Sequence, residues 1–553
     1  MSPHRLRRTL ALFAVAATML AGCAAIPGAG PVNEGQALEF ETDQGVSFQP
    51  EGPADDASPN EIVRGFLSAA SNSQGDYAVA RQFLAPEASR TWQPGTGVRV
   101  ITNLGIERLE GARVRATARL SAEVDGEGVY REAPPGRDIS LEFELIQVGD
   151  QWRIAELPDG ISLERTTFDL AFAGFPVYFY DPSFSRLVPD LRWFPSDAAT
   201  ATRIVRAALS GPSRWLADGA LVSAIPESAE LSVAAVTVTA GVARVDLTSM
   251  PPSDRQRSLM LTQLQASLAG VGSIREVTLS IEQEELDVSP ATGIIRDGGL
   301  PASPMVQIGT EFGPLVGGEV NQPAVGSTAL VGLGGDAADM HVRSERLAVR
   351  NEQGVWLVEG RNLPVLVDER DRQVAPTLDE RFVWTASSQS ATVHVWSRGV
   401  QTAVQVPWLP SAARLRALSL AHDGTRIAIA WRLDGTDHVA VAGIIRNESN
   451  TPIRLGEPLE LNPAAGEFVG VVWAGSEHVL SAWQDGPDTR VKQHQLGGRD
   501  EVLVTTTMTL RTIVAGSTPT SPRALDRDGG LWELRLRSWT QIASDVSLLV
   551  PAR

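Results

Sequence analysis

Lysine is almost missing from this chain of 553 residues: Lys492 is the only one, and the remaining cations are arginine. Acids outnumber lysine plus arginine by 66 to 48, which leaves a formal net charge of −18. A surface of that sign has no general attraction to nucleic acid or to anionic headgroups, so neither is expected as an electrostatic partner. Cysteine is equally scarce. Cys23 stands alone, which excludes an intramolecular disulfide and any paired-cysteine redox or zinc motif. No long apolar run follows residue 20, and the earlier one, Thr9 to Leu20, is too short to cross about 30 Å of hydrocarbon. No transmembrane helix is expected.

Catalytic signatures are missing as well. No Gly-x-Ser-x-Gly elbow occurs, and Gly332-Leu333-Gly334-Gly335 lacks the Lys-Ser that a phosphate-binding loop needs. Apart from His4, the histidines are His341, His394, His422, His438, His478 and His494, without the spacing of metal ligands. His422 falls in a turn and His394 alternates with Trp396, so turn and packing roles are expected. Asp526-Arg527-Asp528-Gly529 and Asp434-Gly435-Thr436-Asp437 lack the further oxygen ligands of a calcium loop and read as turns. The expectation is a protein that is not an enzyme, with no cofactor, no metal site and no catalytic residue.

What is present begins at the first residue. Arg5, Arg7 and Arg8 precede the apolar run, and Leu20-Ala21-Gly22-Cys23 follows it, which is the order of a signal peptide ending in a bacterial lipobox. Small residues at 21 and 22 let the peptidase approach, and the thiol accepts diacylglycerol. Residues 1–22 are therefore expected to be removed, taking the formal charge to −21, with S-diacylglycerol and N-acyl groups on Cys23. Two or three acyl chains hold a protein on a membrane where a single one does not. Residues 23–57, poor in large apolar side chains and broken by Pro31, Pro50 and Pro53, read as the lipidated cysteine and a flexible tether.

Length alone predicts several domains. Ser58-Pro59-Asn60-Glu61 has the form of a capping box with proline at the first helical position, and Ile62, Val63, Phe66, Leu67 and Ala70 make one apolar stripe behind it. A second short helix is expected over Asp76 to Leu84. The period then becomes alternating, at Val98 to Ile101, Ala112 to Val124, Ile139 to Val148 and Gln151 to Ala155, which makes 58–165 an α+β unit. It resembles the NTF2-like fold, in which a bent sheet wraps a helix. Glu142 and Glu144 alternate with Leu141, Phe143 and Leu145, so both acids are expected on the solvent face.

Residues 168–288 are mixed α/β. Phe175 to Tyr180 and Arg186 to Phe194 read as strands, and Ala199 to Ser210 as a helix stopped by Gly211-Pro212. Leu231 to Thr239 and Gly241 to Leu247 read as a strand pair. Ser253 launches a leucine helix, and Ser273 to Ile281 closes with a strand. Tyr178-Phe179-Tyr180, Gly211-Pro212, Ile225-Pro226 and Val245-Asp246-Leu247 before the leucine helix resemble the GerMN domain of sporulation and germination proteins, which implies a small extracytoplasmic interaction module. Many such domains finish on an Asp-Gly turn, whereas here the last strand runs into Ile281-Glu282-Gln283-Glu284.

Residues 289–325, rich in glycine and proline, read as a linker. From 326 to 553 similar units recur at about Ala337 to Val367, Val374 to Val406, Leu415 to Gly456, Glu467 to Thr506 and Leu510 to Val550. Alternating strands with Asp-Gly-like turns at that period predict an all-β propeller of five or six blades, the sixth assembled from Thr310 to Leu333 with help from the C-terminus.

Lipobox, α+β domain, GerMN domain and propeller, in that order, resemble the actinobacterial lipoprotein LpqB family. The resemblance implies an anchored lipoprotein on the extracytoplasmic face of the cell membrane, acting with the Mtr two-component system. Its implied partner is the extracytoplasmic domain of an MtrB-like sensor histidine kinase, with effects on regulator phosphorylation, envelope homeostasis and division. Its contact with the membrane would be through the lipid anchor, and nucleic acid is not implied. The alternative is a lipid- or glycan-binding envelope protein, and after it an envelope hydrolase.

Overall fold

The computed structural model describes residues 50–250, 253–296, 299–300 and 303–552. Signal peptide, lipobox and Cys23 lie outside the described residues, as does the tether up to residue 49.

The first domain opens with α1 (Pro59–Ala69), whose first turn is fixed by Ser58: its backbone N–H donates to Glu61 Oε2 at 2.8 Å and its hydroxyl to the same oxygen at 2.7 Å. Helix α2 (Gln74–Arg81) begins two residues and ends three residues earlier than the sequence suggests, and Gly75, Asp76 and Tyr77 all have positive φ, so its first turn is left-handed. Helix α3 (Pro86–Thr91) leads into strands β1 (Gly97–Arg108), β2 (Arg113–Asp125), β3 (Tyr130–Glu132), β4 (Asp138–Val148), β5 (Gln151–Glu156) and β6 (Ile161–Glu164). They form one sheet in the order β5-β4-β2-β1-β6, with β3 on β2. Strict alternation puts Val114, Ala116, Leu141, Phe143 and Leu145 inward against α1, where Phe66 meets Trp92 and Phe143 edge-on at 5.2 and 6.2 Å. The wrapped space is filled by side chains. Glu142 and Glu144 do face solvent, and Glu142 pairs with Arg115 across the strands at 3.0 Å.

Helix α4 (Arg165–Ala171) passes into the second domain: β7 (Phe172–Tyr180), β8 (Leu187–Pro195), α5 (Thr200–Ser210), β9 (Thr237–Thr239), β10 (Val242–Leu247), α6 (Asp254–Leu268), β11 (Glu276–Ile281) and β12 (Glu284–Glu285). Parallel β10 and β11 are joined through α6, whose buried Met260, Leu264 and Leu268 cover the sheet. Only the last three residues of the expected strand over Leu231 to Thr239 are strand. The stretch before them is tied instead to Asp246 and Thr248 by the backbone of Ser232 and Glu230. The chain after β11 turns tightly, with Glu282 and Gln283 at φ 48° and 70° where an Asp-Gly pair is more usual.

The third domain is a propeller of six blades, five of them four-stranded and the fourth carrying an additional short strand, Leu459–Leu461, paired with its third. Blade 1 departs from the expected boundaries. Its strands Met305–Ile308, Glu311–Val316 and Glu319–Val320 come from the segment read as linker, and its innermost strand, Val546–Val550, comes from the end of the fifth repeat. Residues Ser327–Leu333, expected within the sixth blade, form helix α7 instead. Blades 2 to 6 start on inner strands Ala337–His341, Thr377–Leu378, Arg414–Leu420, Glu467–Trp473 and Leu510–Val514. The ring closes non-covalently, Met305 to Ile308 pairing with Val550 to Val546.

Candidate binding faces and the three-domain junction

Trp193, on β8, is the point where all three domains meet. Its ring lies 5.4 Å from both Tyr130 and Phe168 of the first domain, and its indole Nε1–H donates to the Gly497 carbonyl of blade 5 at 2.9 Å. Arg499 lies over its face at 5.6 Å and pairs with Asp169. Beside it, fully buried Arg192 joins Asp190 at 2.7 Å and donates to the Glu127 carbonyl at 3.0 Å, while Asp190 also accepts from Ser213. Burial and the Asp190 carboxylate pull the Arg192 guanidinium in opposite directions, and the carboxylate prevails, raising its pKa. Ser73 donates to Asp197 at 2.6 Å, tying α2 to the second domain.

The second domain also sits on blade 4. A Cβ on Gly443 would stand 2.6 Å from Ala220 Cβ and 2.9 Å from the Trp215 carbonyl, so only glycine permits this approach. One apolar core runs across the boundary, from Phe179, Leu216 and Leu279 to Val441, Trp473 and Trp483. The domains therefore present their faces in a fixed relation.

Blade 5 holds a constellation that sequence reasoning did not find. Trp483 Nε1–H donates to Ser481 Oγ at 2.8 Å, Ser481 Oγ lies 2.8 Å from His494 Nε2, and His494 Nδ1 lies 2.8 Å from Asp500 Oδ1. With Asp500 ionised, His494 donates from Nδ1 and accepts the Ser481 proton at Nε2. The order is that of a Ser-His-Asp triad. Yet Ser481 and His494 are 0% exposed and the serine oxygen already accepts from tryptophan, so no substrate atom reaches it. It works as a buried relay that locks the blade. Lys492, the one lysine, completes it by pairing with Asp500 at 2.8 Å and donating to the Asn462 carbonyl at 2.7 Å. Burial raises the Asp500 carboxyl, but His494 and Lys492 outweigh it and hold the pKa below the ordinary aspartate range. Cross-strand pairing of His494 with Asp500 is what assembles the relay, and no local motif encodes it.

A second network joins blades 2 and 3. Buried Asp368 accepts from Thr385 Oγ1 at 2.6 Å and from Arg370 Nε at 2.9 Å, and Arg370 contacts His394 Nδ1 at 2.8 Å. Burial first, then Arg370, lowers the His394 pKa, so its packing role is that of a neutral ring. His438 stacks on Trp431 at 5.2 Å. Asp526 accepts from the backbones of Asp528 and Gly530 and from Trp532 Nε1 at 2.7 Å, the work of a turn residue. Among the described residues, no group of three or more His, Cys, Asp or Glu side chains is placed to hold a metal ion.

Two cavities share His422. One is lined by Met305, Leu420, Trp473, Ala515 and Ala552, at the ends of the inner strands of the propeller. The other opens between the second domain and blades 4 and 5, beside Arg186, Arg296, Asp423 and Ser476.

Comparison with known proteins matches three family models in the same order. "Lipoprotein LpqB, N-terminal domain" matches residues 52–169, "Sporulation and spore germination" residues 176–287, and "Lipoprotein LpqB beta-propeller domain" residues 325–552. The chain belongs to the LpqB lipoprotein family. A Lipoprotein LpqB of Thermobifida fusca is 32% identical over 52% of this chain and 47% of that protein. One of Bifidobacterium longum is 28% identical over 77% of this chain and 76% of its own length. The matched region thus spans about half the length of the first relative. Among solved structures, the nidogen/laminin complex aligns with 42% of this chain and 88% of that one, at 12% identity and a TM-score of 0.31. Members of the family are lipoproteins with a propeller domain. Among the described residues, no helix is long and apolar enough to cross a membrane.

Proposed function

We propose that the chain is an accessory binding protein, anchored at the extracytoplasmic membrane face through lipid on Cys23, that contacts the extracytoplasmic domain of an Mtr-type sensor kinase and tunes its signalling in envelope homeostasis and division. The observation that carries the reading is the junction at Trp193, where three domains are fused into one continuous surface. A rigid arrangement of faces suits recognition, because little ordering cost is left for the moment of binding. Anchoring adds to this by raising the local concentration beside an integral partner.

Two measurements test it. Cells fed a labelled fatty acid should label the wild-type protein and not Cys23→Ala, and equal labelling would remove the anchor. The chain from residue 24 onward should bind the purified kinase domain saturably at micromolar concentration and change kinase autophosphorylation in vesicles. Absence of both effects would end the partner assignment.

A further inference from the structure

Ser73-Gln74-Gly75-Asp76, leading into Ala78-Val79-Ala80, has the serine-to-acid spacing of a capping box, which starts a right-handed helix. The structure leaves that box unmade. Ser73 makes no side-chain cap, and Gly75, Asp76 and Tyr77 have φ/ψ of 60/34°, 56/53° and 61/39°, one left-handed turn at the start of α2. The Ser73 hydroxyl donates instead across the domain boundary, to Asp197 Oδ2 at 2.6 Å. The Asp76 carboxylate is turned to Arg81, whose Nε also donates to the Asp76 carbonyl at 2.8 Å.

Left-handed backbone is unfavourable for a residue with a Cβ, and here an aspartate and a tyrosine adopt it in succession. Such strain persists only where the surroundings impose it. Both domains do so. Within the first, Arg81 grips Asp76 and lies over Trp92 at 5.3 Å, while Tyr77 meets the same ring edge-on at 5.9 Å. From the second, Asp197, itself paired with Arg203 at 2.7 Å, keeps Ser73 from capping. Gly75 admits the turn: a Cβ there would stand 3.1 Å from Ala78 Cβ, at a φ that only glycine adopts freely.

We propose that residues 73–77 are a two-state latch between the first and second domains. In the closed state, the one in this structure, the turn is left-handed and Ser73 holds Asp197. In the open state Ser73 and Asp76 form the capping box, the turn becomes right-handed, Tyr77 leaves Trp92, and the bond to Asp197 is gone. Local sequence favours one state and the domain boundary the other, which is the condition for a bistable element. Opening frees the α2 side of the boundary while the Trp193 contacts remain as a pivot. The first domain, which follows the tether, then changes its angle to the propeller.

The test uses the chain from residue 24 onward with labelled tyrosine, since there are only four tyrosines and Tyr77→Phe assigns one of their signals. In wild type the Tyr77 ring signal should carry the shift due to Trp92. Gly75→Ala penalises the left-handed turn and should favour the open state about tenfold, moving that signal toward the ordinary tyrosine position and speeding amide exchange from Asp197 to Thr200. Asp76→Gly, which relieves the turn and removes the acid of the box, should keep Tyr77 at its wild-type position. Asp197→Ala should open the latch from the far side and move Tyr77 as Gly75→Ala does. Asp197 also acts directly on the Tyr77 phenol, so the deciding variant is Asp197→Ala with Asp76→Gly. Return of Tyr77 to its wild-type position there supports the latch. A shift that persists, or no shift in Asp197→Ala alone, makes the turn a fixed feature and overturns the proposal. Should Gly75→Ala fail to fold, the two Asp197 variants decide the matter.

Discussion

The indole of Trp193 donates to the Gly497 carbonyl at 2.9 Å, and this one bond connects a strand of the second domain to the blade 5 hairpin 304 residues later in the chain. The same ring packs against Tyr130 and Phe168 from the first domain. Trp193→Ala removes all three contacts and leaves a cavity at the junction, at a cost of about 3–5 kcal/mol. Calorimetry should show the first domain unfolding separately from the propeller, and limited proteolysis should cut near Arg165 sooner. A single transition at the wild-type temperature would show that the domains are coupled elsewhere.

Ser481→Ala separates a structural from a catalytic role. Loss of the hydroxyl leaves the Trp483 N–H and His494 Nε2 without their partner in a fully buried blade, which costs about 1–3 kcal/mol. The melting temperature should fall, with no change in hydrolysis of an activated ester such as p-nitrophenyl acetate. A variant that melted like wild type but lost a measurable esterase activity would make the relay a catalytic site.

Sequence made the ends of such elements legible where the signal was local. The capping serine at 58, the glycine-proline stop at 211 and 212 and the alternation of β2 and β4 all needed only neighbouring residues to be read. Blade 1 was legible only in outline, as a unit from Thr310 to Leu333 completed by the C-terminus, because its innermost strand comes from the far end of the chain and the repeat of residues 510–550 looked like one unit when it is one blade plus the closing strand of another. The relay in blade 5 was hidden for a related reason. Ser481, His494 and Asp500 come together only through strand register, and register is set by pairing rather than by spacing.

Acid should weaken blade 5 through Asp500. Its folded pKa is depressed, so its contribution is full above the unfolded aspartate value of about 4 and is lost as pH falls further through the folded value. Asp368, held low by Arg370 and Thr385 in spite of burial, behaves in the same direction. Urea midpoints measured from pH 7 downward should stay level until about pH 4 and then fall. In Asp500→Asn the midpoint should start lower and the acid slope should be shallower. An identical slope in the variant would place the acid sensitivity at other carboxylates.

Ring closure makes the strongest demand on the C-terminal strand. Val546, Leu548, Leu549 and Val550 are all at most 5% exposed, and Met340 on blade 2 bridges to Ala552 beyond them. Burying one such side chain contributes about 1.5–3 kcal/mol, so the four together are comparable with the whole stability of a typical domain. Without them, Met305 to Ile308 would become an unpaired inner edge facing the axis, which invites pairing with another chain. A chain ending at Asp545 should therefore aggregate or expose the propeller to protease, while its first domain, with a core of its own in Phe66, Trp92 and Phe143, keeps its helical circular dichroism. Adding a synthetic peptide of residues 546–552 should restore protection, because the strand is held by pairing and packing and not by a covalent link. If the truncated chain resisted protease as wild type does, the ring would be held by contacts between blades alone.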